Sequence, residues 1–189
     1  MGVPYEVVAT TADEAAGGDS AAALAAGNAV AKVQQAALPV YAPAGAFVLG
    51  TDTLVSLGDR VMGKPTSRAD ATAMIAALAG KTHQVVSGVA LRRIGGAGEG
   101  KAPGAREQLH VATATTDVTF LDLDGARVEA YIASGEWTDK AGGYGVQGLA
   151  GMFVTEVRGE YSNVVGLPLC LLARLFRDAG FDLLRRQWI

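Results

Sequence analysis

The stretch Glu136–Gly151 constrains this chain more than any other; it reads Glu-Trp-Thr-Asp-Lys-Ala-Gly-Gly-Tyr-Gly-Val-Gln-Gly-Leu-Ala-Gly. Glycine at that density works against a long helix or strand, because glycine loses the most backbone freedom when it is ordered. The acid, lysine, amide and two aromatics set among the glycines make it a shaped binding loop and not a linker. Rigid elements elsewhere must position it.

The flanking sequence supplies such elements. At 189 residues the chain fits one domain, or one domain in two lobes, with enough length for a sizeable core. Tyr5–Ala9 is a short β-branched run that predicts a strand almost at the start. Gly17-Gly18-Asp19-Ser20 gives a turn and an N-cap, and an alanine-rich helix is expected over about Ala21–Ala37. Asn28 and Lys32, at i and i+4, share one face of it. Pro39, Pro43 and Gly45 end that helix.

Phe47–Leu57 is the strongest strand signal, with Asp52 in its middle, and Leu57-Gly58-Asp59 turns the chain back into Arg60-Val61-Met62. Ser67 and Asp70 cap a helix whose apolar stripe is Met74, Ile75 and Leu78, closed by Gly80. Thr82–Arg93 and Leu109–Leu121 read as two long strands of a hairpin with a Gly- and Ala-rich tip over 95–108. Asp124 caps a helix carrying Val128, Tyr131 and Ile132, which ends at Gly135. Phe153–Val157 and Tyr161–Val165 predict another hairpin turning at Gly159, and Pro168 opens a last helix to Ala179. The fold class is α/β, a mixed sheet flanked by helices.

Several function classes drop out. A net charge of −3 argues against sequence-independent binding of nucleic acid, which needs a basic face. The single Cys170 excludes a disulfide framework, and its apolar neighbours predict a packed thiol. No apolar run nears the length of a membrane helix and no secretory leader is visible, so the expected location is the cytoplasm. Gly143-x-Gly145-x-x-Gly148 spells a dinucleotide fingerprint, but it leads toward a strand where that motif needs a helix. Gly58-x-x-x-x-Gly63-Lys64 nearly spells a P-loop, but Pro65 stands where a magnesium-binding hydroxyl belongs. His83 and His110 both sit in strand-like sequence and predict strand histidines, not a triad or zinc site.

What remains is a set of acids and lysines beside turns: Glu14, Lys32, Asp52, Lys64, Asp139 and Lys140. An acid inside an apolar strand costs free energy unless it is paired or holds a cation, so Asp52 is either a structural carboxylate or a functional one. Lysines with carboxylates in a glycine-lined cleft suit a polyphosphate held with Mg²⁺.

The ordered blocks Thr51-Asp52-Thr53-Leu54-Val55, Gly63-Lys64-Pro65, Asp139–Gly148 and Tyr161–Leu169 resemble the signature of the Maf family, the septum-formation-inhibitor-like nucleotide pyrophosphatases. Leu24-Ala25-x-x-Asn28-Ala29-x-x-Lys32 is similar to that family's first helix, and the resemblance runs from about Gly2 to Ala179. It implies an elongated two-lobed mixed sheet with a nucleotide cleft, similar to inosine triphosphate pyrophosphatases. It also implies hydrolysis of a nucleoside triphosphate to the monophosphate and pyrophosphate with Mg²⁺ or Mn²⁺, and a homodimer.

Carried onto this chain, Asp52 would activate water or hold the metal. Glu14 would be a second metal-side carboxylate, and Lys32 and Lys64 would hold phosphates. Thr53 and Gln147 resemble the branch acting on dTTP and UTP, with Lys140 supporting the cleft; the Gln147 amide can match the imide edge of thymine or uracil. Tyr144 or Trp137 could stack on a base or serve packing. The family also opens with a strand and a loop of the type Ser-x-Ser-Pro-Arg-Arg, and the expectation is a fold that lacks both. A rival of another class is a nucleotide-binding regulator of cell division and septum formation that does not catalyse.

Overall fold

The structure is a computed structural model, which describes residues 3–12, 20–39, 45–94 and 108–189. Its centre is a five-stranded sheet in the order β2-β1-β3-β4-β5, formed by β1 (Phe47–Leu57), β2 (Arg60–Met62), β3 (Thr82–Arg93), β4 (Leu109–Phe120) and β5 (Val154–Arg158). All four pairings within it are antiparallel. The twelve-residue strands β3 and β4 reach about 40 Å at 3.3–3.4 Å per residue, which gives the sheet its elongation. The sequence boundaries of β1, β2 and β3 are reproduced residue for residue.

Helix α1 (Ala21–Gln34) covers one face, with the Ser20 hydroxyl accepting from the Ala23 N–H as its cap. It lies unusually close to the sheet because Gly50 and Gly88 have no side chain. A Cβ on Gly88 would sit 2.2 Å from the Ala25 carbonyl oxygen, and one on Gly50 would sit 2.5 Å from that of Ala29. On the opposite face, α5 (Leu169–Asp178) packs Leu172, Leu175 and Phe176 against Val89 and Leu91 at one end of the strands. Helices α2 (Arg68–Leu78) and α3 (Gly125–Ala133) pack around Val55, Val85 and Val118 at the other. Both begin at the expected caps, Ser67 and Asp124. A two-stranded ribbon, β6 (Phe181–Asp182) with β7 (Gln187–Trp188), closes the described chain.

Three expectations are corrected. Tyr5–Ala9 is not a strand: Thr10 makes one bridge to Ala36, and the Ala9 carbonyl accepts from the Ala37 N–H. Strand propensity needs a neighbouring ladder and a face to bury, and Tyr5 and Val7 are almost fully exposed. Tyr161–Val165 is the short helix α4, not the second strand of a hairpin. Tertiary bonds override its β-branched composition. The buried Asn163 amide donates to the Val85 carbonyl and Thr116 Oγ1, and Gly166 ends the helix in the left-handed region at φ 115°. Cys170 is exposed in the first turn of α5, so the packed-thiol reading fails. The hairpin tip lies outside the described residues over 95–107, as does Pro43.

His83 sits in β3 as expected, fully buried against Phe120 and Tyr144. Its Nε2 is 2.7 Å from the Tyr144 hydroxyl. Burial pushes its pKa down to about 4, partly offset by the nearby backbone of Lys81. A base with a depressed folded pKa stabilises the fold fully above its unfolded value of about 6.5 and loses that stability as pH falls toward 4. Urea unfolding should therefore show about 2 kcal/mol less stability at pH 5 than at pH 7 from this group. A His83→Gln variant should lack that increment, and an identical acid slope in the variant would contradict the assignment.

Candidate active site

Alternation along β1 sends Val48, Gly50, Asp52 and Leu54 toward α1, and Thr51 and Thr53 toward α4 and the residue that follows it, Gly166. Asp52 is 6% exposed, and its burial is tolerated because both carboxylate oxygens are bonded. Lys32 Nζ donates to Oδ1 at 2.7 Å and to the Thr51 carbonyl at 3.1 Å. Asn28 Nδ2 donates to Oδ2 at 2.9 Å. The i, i+4 spacing of Asn28 and Lys32 thus places two donors on one acid. Beside Asp52, Thr53 shares a 2.8 Å hydroxyl–hydroxyl bond with the buried Ser87 and approaches the Gly166 carbonyl at 3.4 Å.

The glycine-dense loop folds onto the same strand. Gly142 has φ 67°, and a Cβ there would come within 2.7 Å of Val55 Cγ2. Its N–H donates to the Gly63 carbonyl at 2.9 Å, which ties the Gly63-Lys64-Pro65 turn to the turn carrying Lys140. The Tyr131 hydroxyl donates to the Gly143 carbonyl, and Glu136 Oε2 accepts from the Leu149 N–H at 2.7 Å. Tyr144 is buried with its hydroxyl against His83, and the indole N–H of Trp137 donates to the Ile132 carbonyl. Both aromatics take part in the loop's packing, and Tyr144 also lines the cleft that Asp52 lines. Burial raises the Tyr144 and Tyr131 pKa values, the latter to about 12 with Glu136 adding to the rise, so both hydroxyls stay neutral. From Ala141 the chain runs through two 3₁₀ turns into β5, which is the context that disqualifies the dinucleotide fingerprint.

Between these parts lies a cleft of about 270 Å³ lined by Lys32, Asp52, Thr53, Lys64, Lys140 and Gln147, together with the Val164–Gly166 segment. Asp139 lines the same cleft, so seven of the eight candidate residues singled out in the sequence meet in one place. Glu14 lies outside the described residues. The residues that sequence reasoning missed are Ser87 and Gly166, which fix the Thr53 hydroxyl. Only the pairing register, Thr53 opposite Ser87, reveals the first, and the unexpected helix α4 reveals the second. Lysines from three separate parts of the chain line the cleft that Asp52 also lines, an arrangement suited to a polyphosphate chain.

The family model described as Maf-like protein matches residues 1–179. The chain belongs to the Maf family. Among its curated relatives, the dTTP/UTP pyrophosphatase of Thermococcus gammatolerans is 42% identical over 147 residues, covering 78% of this chain and 72% of the relative. The dTTP/UTP pyrophosphatase of Anaeromyxobacter dehalogenans is 47% identical over 139 residues, 74% of this chain and 68% of the relative. That of Bacillus anthracis is 34% identical over 186 residues, 96% and 87%. The antiparallel sheet with helices on both faces is this Maf chain's version of the expected α/β fold.

The chemistry of the donor set fits a divalent cation. Mg²⁺ is usually held by one or two carboxylates plus substrate phosphates and water, and Asp52 offers a hard oxygen at the cleft wall. Among the described residues no group of three or more His, Cys, Asp or Glu could form a cage without the nucleotide.

Proposed function

We propose that this Maf-family chain hydrolyses dTTP and UTP, and related modified pyrimidine nucleotides, to the monophosphate and pyrophosphate. The observation that carries the reading is the buried Asp52 paired to Lys32 at the wall of a cleft that Lys64 and Lys140 also line, in a chain similar to dTTP/UTP pyrophosphatases. Water's oxygen bonds to the α-phosphorus, the bond to the α–β bridging oxygen breaks, and pyrophosphate leaves with that electron pair. Asp52 takes the water's proton or, with Glu14, would hold Mg²⁺ or Mn²⁺, which would supply Lewis-acid stabilisation of the phosphate oxygens while the water's proton passes to solvent. Lys32 and Lys64 meet the phosphate charge and lower the barrier by stabilising the charge that develops in the transition state.

Thr53 and Gln147 read the pyrimidine, with Lys140 at the same wall. We assign the chain two lobes about this cleft, a cytoplasmic location and a homodimeric state on family grounds. Among the described residues no helix is long and apolar enough to cross a membrane.

The reading is tested by steady-state hydrolysis of the common nucleoside triphosphates. dTTP and UTP should give the highest kcat/KM. Gln147 is exposed, so replacing it with Leu should lower that preference about tenfold and shift stability by less than about 0.5 kcal/mol. A profile indifferent to the base, unchanged by Gln147→Leu, would remove the pyrimidine assignment.

A further inference from the structure

Resting on the pyrophosphatase reading, we infer that Asn28 is a positioning residue, the fixed anchor of the Asp52 carboxylate, and that Lys32 is its exchangeable partner. The two side chains bond the same acid, one oxygen each, from successive turns of α1. Their surroundings differ. Lys32 lines the cleft and its side chain is 20% exposed, whereas Asn28 is 4% exposed and does not line it. Asn28 stands between Ala25 and Ala29, both fully buried, on the helix face held against Gly50 and Gly88. It has no room to move without moving the helix.

The difference sets a division of labour. The Lys32 ammonium is a compact charge on a flexible stem, and a triphosphate entering the cleft competes with Asp52 for it. Oδ1 is the oxygen Lys32 covers, so a shift of Lys32 toward phosphate frees that oxygen for the cation or for water's proton. Oδ2 stays bonded to Asn28, so the carboxylate keeps its orientation while its other partner leaves. The neutral amide does this without adding a charge that would repel the cation. Orientation of a reacting group acts on the chemical step and not on substrate affinity, so the two residues should affect different kinetic constants.

Two measurements test this on the full chain. In kinetics with dTTP and Mg²⁺, Asn28→Ala should lower kcat by roughly 10- to 100-fold with KM within about twofold, whereas Lys32→Met should raise KM as well. A raised KM with unchanged kcat in Asn28→Ala overturns the inference. The second measurement needs no turnover: in ligand-free Lys32→Met, the Asn28 side-chain amide, assigned by its disappearance in Asn28→Ala, should remain as protected from hydrogen exchange as in the unsubstituted chain. Exchange at the rate of an exposed amide would show that Asn28 is held only while Lys32 is. Failure of the unsubstituted chain to hydrolyse dTTP would count against the function itself, and the exchange result would still decide the anchor.

Discussion

Asp52→Asn is expected to abolish hydrolysis, lowering kcat for dTTP by on the order of 10³-fold while the chain stays folded. The substitution keeps the size of the side chain and removes only its charge. A neutral amide neither accepts water's proton nor balances a divalent cation, and general-base catalysis alone contributes about 10²- to 10⁴-fold. The structural effect should be smaller. Removing one partner of a fully buried ion pair costs about 3–5 kcal/mol, but Lys32 opens onto the cleft and can reach water. An asparagine oxygen can still accept from Lys32 or from Asn28. A loss near 1 kcal/mol in urea unfolding, with activity gone, is the expected pair of results. Retained turnover, or collapse of the fold with turnover lost in proportion, would place Asp52 among structural carboxylates.

The next largest effect is expected from Gly88→Ala, a change of one methyl group that adds or removes no charge. The added Cβ would meet the Ala25 carbonyl oxygen and carbon at 2.2 and 2.3 Å and the Ala26 nitrogen at 2.5 Å, and all three atoms are backbone. No rotamer relieves such a clash, so α1 must lift from the sheet. Overpacking a close contact costs about 1–3 kcal/mol, and a rigid backbone neighbour puts this site at the upper end. For a chain of this length that lowers Tm by about 6–12 °C.

Activity should fall further than stability predicts, because Gly88 pairs with Asp52 across the sheet and α1 carries both donors to that acid. A shift of about 1 Å in their placement can cost 10²-fold in rate. Equal Tm and equal activity in Gly88→Ala would mean that the close approach of helix and sheet does not position the site.

Much of this site was legible because each of its parts breaks a local rule. Asp52 interrupts an apolar strand, and glycine crowds Glu136–Gly151. Lys64 follows a glycine in a near P-loop that its own Pro65 rules out. Each of these signals lies within a few residues of chain. The elements that went unread depend on contacts far apart in sequence.

Tyr161–Val165 has strand-like composition, and its helix is decided by Asn163 reaching Val85 and Thr116 in two other strands. Tyr5–Ala9 has the composition of a strand without a neighbouring ladder among the described residues. Gly50 and Gly88 carry no sign in sequence that a helix backbone rests on them. The loop's aromatics show the same limit: no local signal says that the Tyr144 hydroxyl meets His83 or that the Trp137 indole N–H meets the Ile132 carbonyl.

The central claim is that the cleft cuts a nucleoside triphosphate between its α and β phosphates. Phosphorus NMR of dTTP incubated with the chain and Mg²⁺ or Mn²⁺ tests it most directly. Equal amounts of dTMP and pyrophosphate, with no dTDP and no inorganic phosphate at early times, are the predicted result; dTDP with phosphate, or unchanged dTTP, would contradict it.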